Sequence, residues 1–142
     1  MIRIIAGGKK HAKWLEEACT EYEKRLRKPF NLEWVFVDEE KIAEKVARLD
    51  MTDFVIVLDE KGKIMSSVEL SDVFTKTLIS GCNIVIVIGG AFGHFSPSVT
   101  ERANLIWSLS KLVFPHQICR LLVSEQIYRA QEISLEHKYH HA

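Results

Sequence analysis

Two unbroken apolar runs set the frame for this chain, Asp53–Leu58 (DFVIVL) and Asn83–Ile88 (NIVIVI). Neither alternates polar with apolar residues, and both are rich in β-branched side chains. Such runs suit central strands of a parallel sheet covered on both faces. The segments around them alternate accordingly. Met1–Ala6 reads as a short isoleucine-rich strand, followed by a helix through about Arg27 with Leu15, Ala18, Cys19, Tyr22 and Leu26 on one face. Pro29 ends that helical stretch. Leu32–Val37 (LEWVFV) has strand composition, and Glu39–Leu49 reads as a helix with Ile42, Val46 and Leu49 in line and Glu40 and Glu44 toward water. Ser66 or Ser67 caps a helix running to about Ser80. A short helix around Pro97–Ala103 and a strand at Leu105–Leu109 precede Pro115, which opens the longest helix, to about Ser134. There is no repeat, linker or low-complexity tract, so residues 1–142 form one α/β domain with a mostly parallel sheet.

Lys+Arg and Asp+Glu are equal at 19 each, so no global field advertises a nucleic-acid partner, and any positive surface for RNA must be local or assembled between subunits. The apolar stretch at Met1–Ala6 is too short for the core of a signal peptide. The longest apolar run, Ile84–Ile88, is far too short to span a bilayer. Cys19, Cys82 and Cys119 are scattered and odd in number, which predicts reduced, buried thiols in a cytoplasmic protein.

In open α/β sheets ligands bind beyond the carboxyl ends of central strands. That rule selects the loops after Leu58, Ile88 and Leu109. The second begins Gly89-Gly90-Ala91-Phe92-Gly93-His94, neither a GxGxxG nor a Walker loop. Its glycines either let a ligand approach the backbone or merely turn the chain out of a strand. The third, Leu109-Ser110-Lys111-Leu112-Val113-Phe114, is oddly apolar for a loop. It either packs around an apolar ligand face or continues the strand through Phe114. The last helix is apolar on two sides, Ile118, Leu121, Leu122, Tyr128 and Ile133 on one and Val123, Ile127 and Ala130 on the other. A helix of that kind is covered twice, here by the sheet and a second subunit. Glu125 and Arg129 are spaced for an i,i+4 ion pair that steadies the helix, or for a role at a substrate or dimer surface. The tail from His137 to Ala142 can stack, donate hydrogen bonds and carry charge. It lacks an acidic or cysteine partner at ligand spacing, so no metal is expected. His94 and His116 have no Ser or Cys partner in a triad motif.

In order along the chain stand Ile88-Gly89-Gly90-Ala91-Phe92-Gly93, Trp107-Ser108-Leu109-Ser110, Phe114-Pro115-His116, Glu125-Gln126-Ile127-Tyr128-Arg129-Ala130 and Tyr139-His140. With Gly7-Gly8-Lys9 and Leu58-Asp59-Glu60-Lys61-Gly62-Lys63 before them, they closely resemble the ribosomal large-subunit pseudouridine N3-methyltransferase family of the SPOUT class. The resemblance spans nearly the whole chain. It implies a fold whose C-terminal part threads a trefoil knot, an exception to the usual absence of knots. It also implies a homodimer, S-adenosylmethionine as methyl donor without a metal, and as substrate a pseudouridine in 23S rRNA of the assembled 70S ribosome. By correspondence the cofactor lies against Leu58, Gly89, Gly90 and the loop Leu109, Ser110, Lys111, Leu112, Val113 and Phe114. Tyr139 and His140 contact the target nucleotide, Arg129 binds a phosphate or the uracil carbonyl, and His116 is a lesser candidate base. Lys138 departs from the family's usual proline before Tyr-His, which removes a constraint on the tail. Two rival readings are a nucleotide-binding module without catalysis and a SPOUT enzyme acting on tRNA ribose. Enzymes of the second kind often carry an extra RNA-binding domain and an arginine in the first knot motif, and this chain has neither.

Overall fold

The computed structural model describes residues 1–91 and 95–135. Five strands, β1 (Ile2–Gly7), β2 (Leu32–Val37), β3 (Phe54–Ile64), β4 (Ile84–Ile88) and β5 (Leu105–Ser108), form one sheet in the order β2-β1-β4-β3-β5. Every pairing is parallel. The helices are α1 (Lys13–Glu23), α2 (Ile42–Ala47), α3 (Ser67–Ile79), α4 (Pro97–Arg102) and α5 (His116–Ser134). The two apolar runs become the central neighbours β3 and β4. All five residues of β4 are buried, as a strand covered on both faces requires.

Strand alternation divides the core into two layers. Ile2, Ile4, Ile56, Ile84 and Ile86 point to the side covered by α3 and α5, with Leu70, Phe74, Val123 and Ile127. Ile5, Val55, Val57, Val85 and Val87 point the other way, onto Ile42 and Val46 of α2 and Val99 of α4. Ser66 starts α3 with a reciprocal capping box, its hydroxyl accepting from the Glu69 amide while Glu69 accepts from the Ser66 amide. Ser71 donates to the Ala130 carbonyl at 2.8 Å, tying α3 to α5.

Three boundaries differ from the sequence reading. Helix α1 stops at Glu23 rather than near Arg27. The side chain of Gln131 on α5 accepts from the Arg27 amide and donates to the Arg25 carbonyl, so these backbone groups leave the helical ladder. The expected helix over 39–49 is a 3-10 turn (Glu39–Lys41) followed by the short α2. Strand β3 runs past Leu58 to Ile64: Leu58 and Lys63 both pair with Trp107, and the intervening residues 59–62 bulge out of the ladder. Gly62 makes the return possible. A Cβ there would lie 2.6 Å from the carbonyl carbon and oxygen of Ile106 and 2.8 Å from the Trp107 amide nitrogen.

Candidate functional site

Strand β1 continues outward to β2, whereas β4 leads across β3 to β5, so the chain leaves β1 and β4 in opposite directions. A crevice at the carboxyl ends of the strands follows from that reversal. On the β3–β5 side of β4 a cavity of about 890 Å³ opens, lined by the loops after β3, β4 and β5 and by the first turn of α5. That volume falls in the range of sites for nucleotide-sized molecules.

The structure gathers nearly all the residues expected at a cofactor site. Leu58, Gly89, Gly90, Leu109, Ser110, Leu112, Val113 and Phe114 line the cavity, while Lys111 is exposed and does not. Residues 109–115 leave the sheet as a loop rather than extending β5. Ser108 Oγ donates to the Ser110 carbonyl at 2.8 Å, and Ser110 Oγ accepts from the Leu112 amide at 3.0 Å. These bonds turn the chain so that Leu112 and Val113 stand at the rim, 68% and 78% exposed. Apolar side chains left in water at a cavity mouth have no packing role within the chain.

The lining contributed by β3 beyond Leu58 is charged. Asp59, Glu60 and Lys61 lie in the bulge of β3, where Asp59 Oδ1 accepts from the Lys61 amide at 2.9 Å. Their proximity to the glycine turn had one sequence signal, the DEKG that follows an apolar strand. Ala91 of the glycine loop and Phe95 just beyond it also line the cavity, as do Thr100 and Cys119, which carried no such signal. The glycine turn itself is tightly seated. A Cβ on Gly7 would come within 2.9 Å of the Gly90 amide nitrogen, and the Glu39 side chain packs against Gly90.

His116 lines the cavity, and its pKa is lowered by burial first and by the Arg120 cation second. Gln117 Oε1 accepts from the Ala12 amide at 3.1 Å, which turns the Gln117 amide nitrogen toward His116 Nε2, 3.2 Å away. Burial and Arg120 thus disfavour the protonated ring, and Nε2 faces an amide nitrogen that can only donate to it. That occupancy weakens it as a base. Cys119 is held in its thiol form, since burial raises its pKa. Arg129 forms the ion pair with Glu125 at 3.1 Å. It lies 13 residues beyond the first residue of α5, about 20 Å along the axis, and does not line the cavity. Tyr139 and His140 lie outside the described residues, as do Phe92, Gly93 and His94. Among the described residues no group of His, Cys, Asp or Glu could hold a metal ion, and no helix is long and apolar enough to cross a membrane.

His11 shares the behaviour of His116: burial lowers its pKa, and Arg120 lowers it further. Both rings take protons more readily in the unfolded chain, where the value is about 6.5. The stability they contribute is present above that pH and lost as the pH falls through their lowered folded values. The melting temperature of the wild type is thus expected to fall more steeply from pH 7.5 to 5.5 than that of His11→Asn/His116→Asn, followed by circular dichroism. Glu23, whose pKa burial raises, contributes the opposite sign in both proteins and cancels in the comparison.

An all-parallel sheet whose cavity lies at the carboxyl ends of β3, β4 and β5, with apolar and charged residues of loops in its lining, defines an α/β protein with a loop-built site. The chain belongs to the family described as "Predicted SPOUT methyltransferase", whose model matches residues 1–140. Similar proteins include three named Ribosomal RNA large subunit methyltransferase H. That of Gloeobacter violaceus is 37% identical over 151 residues, covering 99% of this chain and 98% of that protein. That of Caldicellulosiruptor bescii is 38% identical over 154 residues, covering 99% of both chains. That of Methylobacillus flagellatus is 34% identical over 152 residues, covering 98% of this chain and 97% of that protein.

Proposed function

We propose that this protein is a methyltransferase that uses S-adenosylmethionine to methylate N3 of a pseudouridine in 23S rRNA of the assembled ribosome. The observation that supports the reading is the cavity itself: the loops after β3, β4 and β5, selected from sequence as candidate ligand loops, line one cavity at the carboxyl ends of those strands. Family membership supplies the reaction class, and the names of the relatives supply the large-subunit RNA.

The residues fit the group. Apolar Leu58, Leu109, Leu112, Val113 and Phe114 suit the faces of an adenine, and the backbone of the 89–90 and 109–114 loops suits its edges. Asp59 and Glu60, which with Lys61 leave the β3 bulge net negative, complement the positive charge of a sulfonium and an ammonium. S-adenosylmethionine supplies, when bound, a methyl group already activated by the sulfonium. What remains for the protein is alignment and a proton: as N3 bonds to the methyl carbon and the carbon–sulfur bond breaks, the N3 proton leaves to a base. His140 and Tyr139 are assigned to the target nucleotide and Arg129 to a phosphate or the uracil carbonyl. His116 is the lesser candidate, its Nε2 being engaged by Gln117.

We also propose the trefoil knot, a cytoplasmic location and a homodimer. On α5, Val123, Ile127 and Ala130 are buried against the sheet, whereas Ile118, Leu121, Leu122, Tyr128 and Ile133 stay only half-buried. Ile118, Leu121, Leu122 and Ile133 are what a second copy would cover on that side, while the Tyr128 ring already meets Tyr22 and Arg25. A second copy would also bring the remote Arg129 to a shared surface.

Titration of S-adenosylmethionine by calorimetry tests the cofactor half. The wild type is expected to bind with one site per chain. Val113→Asp, at a residue too exposed to matter for folding, is expected to weaken binding at least about tenfold by placing a carboxylate against the apolar ligand face. Unchanged affinity in the variant would remove the 109–114 loop from the site.

A further inference from the structure

We propose that the loop after β1 and the first turn of α1, carrying Lys9, Lys10, Lys13 and Trp14, form the docking surface for the RNA backbone beside the cavity. This rests on the methyltransferase reading and names the surface through which the same site would meet its RNA.

All four side chains are exposed, and Trp14 is 58% exposed although it is the largest side-chain type. No carboxylate occurs between Gly7 and Leu15. Among the described residues the ion pairs include none of the three lysines. Lys9, Lys10 and Lys13 lie before or at the start of α1, where the helix dipole disfavours cations, and Glu16 is the one acidic residue of its first turn. Helix stability therefore does not account for them. An anionic partner does, because lysines and dipole then attract the same phosphate. An exposed indole among lysines suits stacking on an unpaired base, which every base permits through its π-face. In a chain whose formal charge sums to zero, such a local concentration is the form an RNA surface has to take.

The loop is also fixed next to the cavity. Strands β1 and β4 are neighbours with Ala6 opposite Ile88, so the loop begins beside the glycine turn. Its far end is tied to the cavity's own helix through the Ala12 amide and Gln117. Beneath it Arg120, fully buried, donates to the Lys9 carbonyl at 3.0 Å and the Gly7 carbonyl at 3.1 Å. Its guanidinium lies over the Phe36 ring and in none of the ion pairs among the described residues, so its charge adds to that of the lysines above it.

The test uses ribosomes lacking the modification and measures both co-sedimentation and the KM for methyl transfer across a salt series. The triple variant Lys9→Glu/Lys10→Glu/Lys13→Glu is compared with Lys41→Glu/Lys45→Glu/Arg48→Glu, an equal charge change at exposed residues on the opposite layer. The first triple is expected to weaken ribosome affinity and raise KM at least about tenfold near 0.1 M salt. It should flatten the slope of log affinity against log salt by about 2 to 3, and leave S-adenosylmethionine affinity within about twofold. Trp14→Ala is expected to lose about fivefold or more in ribosome affinity. The second triple is expected to stay within about twofold of the wild type. If the wild type methylates ribosomes while the first triple keeps its KM and salt slope, or the second triple loses as much, the docking surface is overturned and the methyltransferase reading stands. A wild type that neither sediments with ribosomes nor methylates them overturns both, and that outcome is read without any variant.

Discussion

Gly62→Ala is expected to cost roughly 2–4 kcal/mol of stability, far more than one added methyl group costs at an ordinary surface position. Its Cβ would meet backbone, not a side chain that could rotate away: the Ile106 carbonyl at 2.6 Å and the Trp107 amide nitrogen at 2.8 Å. To make room, β3 and β5 must separate where Lys63 and Ile64 rejoin the ladder opposite Trp107 and Ser108. The same movement displaces residues 59–61, which line one wall of the cavity, and the start of the 109–114 loop, which lines another. Urea denaturation should show the loss of stability. Cofactor titration well below the new melting temperature should show at least about tenfold weaker binding. A variant within about 1 kcal/mol of the wild type would mean that the two strands do not approach as described.

Arg120→Ala is expected to be of similar size, roughly 3–5 kcal/mol, by a different route. Truncation leaves the Gly7 and Lys9 carbonyls without their charged donor and opens a cavity under the loop. Arg120→Lys should recover part of the loss, since one ammonium can serve at most some of these acceptors and lacks the planar face that lies on Phe36. Hydrogen exchange at the Gly8–Ala12 amides should accelerate in the alanine variant beyond what the global loss of stability requires. Exchange that tracks global unfolding alone would show that Arg120 holds the core and not the loop.

Arg120 also shows where the sequence stopped being legible. The β-branched runs announced β3 and β4 because burial on both faces leaves a compositional trace, whereas the glycine turn and apolar loop were open between a ligand site and a plain turn or continued strand until the fold brought them together. A charged residue between Cys119 and Leu121 announces exposure, since arginine is almost never fully buried. Its burial depends on carbonyls more than a hundred positions earlier, at the end of β1, which no local pattern encodes. Gln131 ended α1 early for the same reason, by capturing backbone groups of Arg25 and Arg27 from a distant helix. The bulge of β3 could not be read either, because what it requires of Gly62 is space against β5, not a turn. On α5, periodicity marked Arg129 and Glu125 as a pair and the structure forms it. Its distance from the cavity is a matter of helix length, and a role for Arg129 at the reacting base then asks for a second subunit. The reaction came from family resemblance; spacing and periodicity alone led to a crevice suited to a ligand.

Whether the protein methylates the ribosome is decided by transfer of radiolabelled methyl from S-adenosylmethionine to intact ribosomes that lack the modification, set beside protein-free 23S rRNA. The account predicts about one methyl per intact ribosome, located by nucleoside mass spectrometry on N3 of a pseudouridine, little transfer to the free RNA, and loss of transfer in His140→Ala. Failure to label either substrate, with no binding of S-adenosylmethionine by calorimetry, would contradict it.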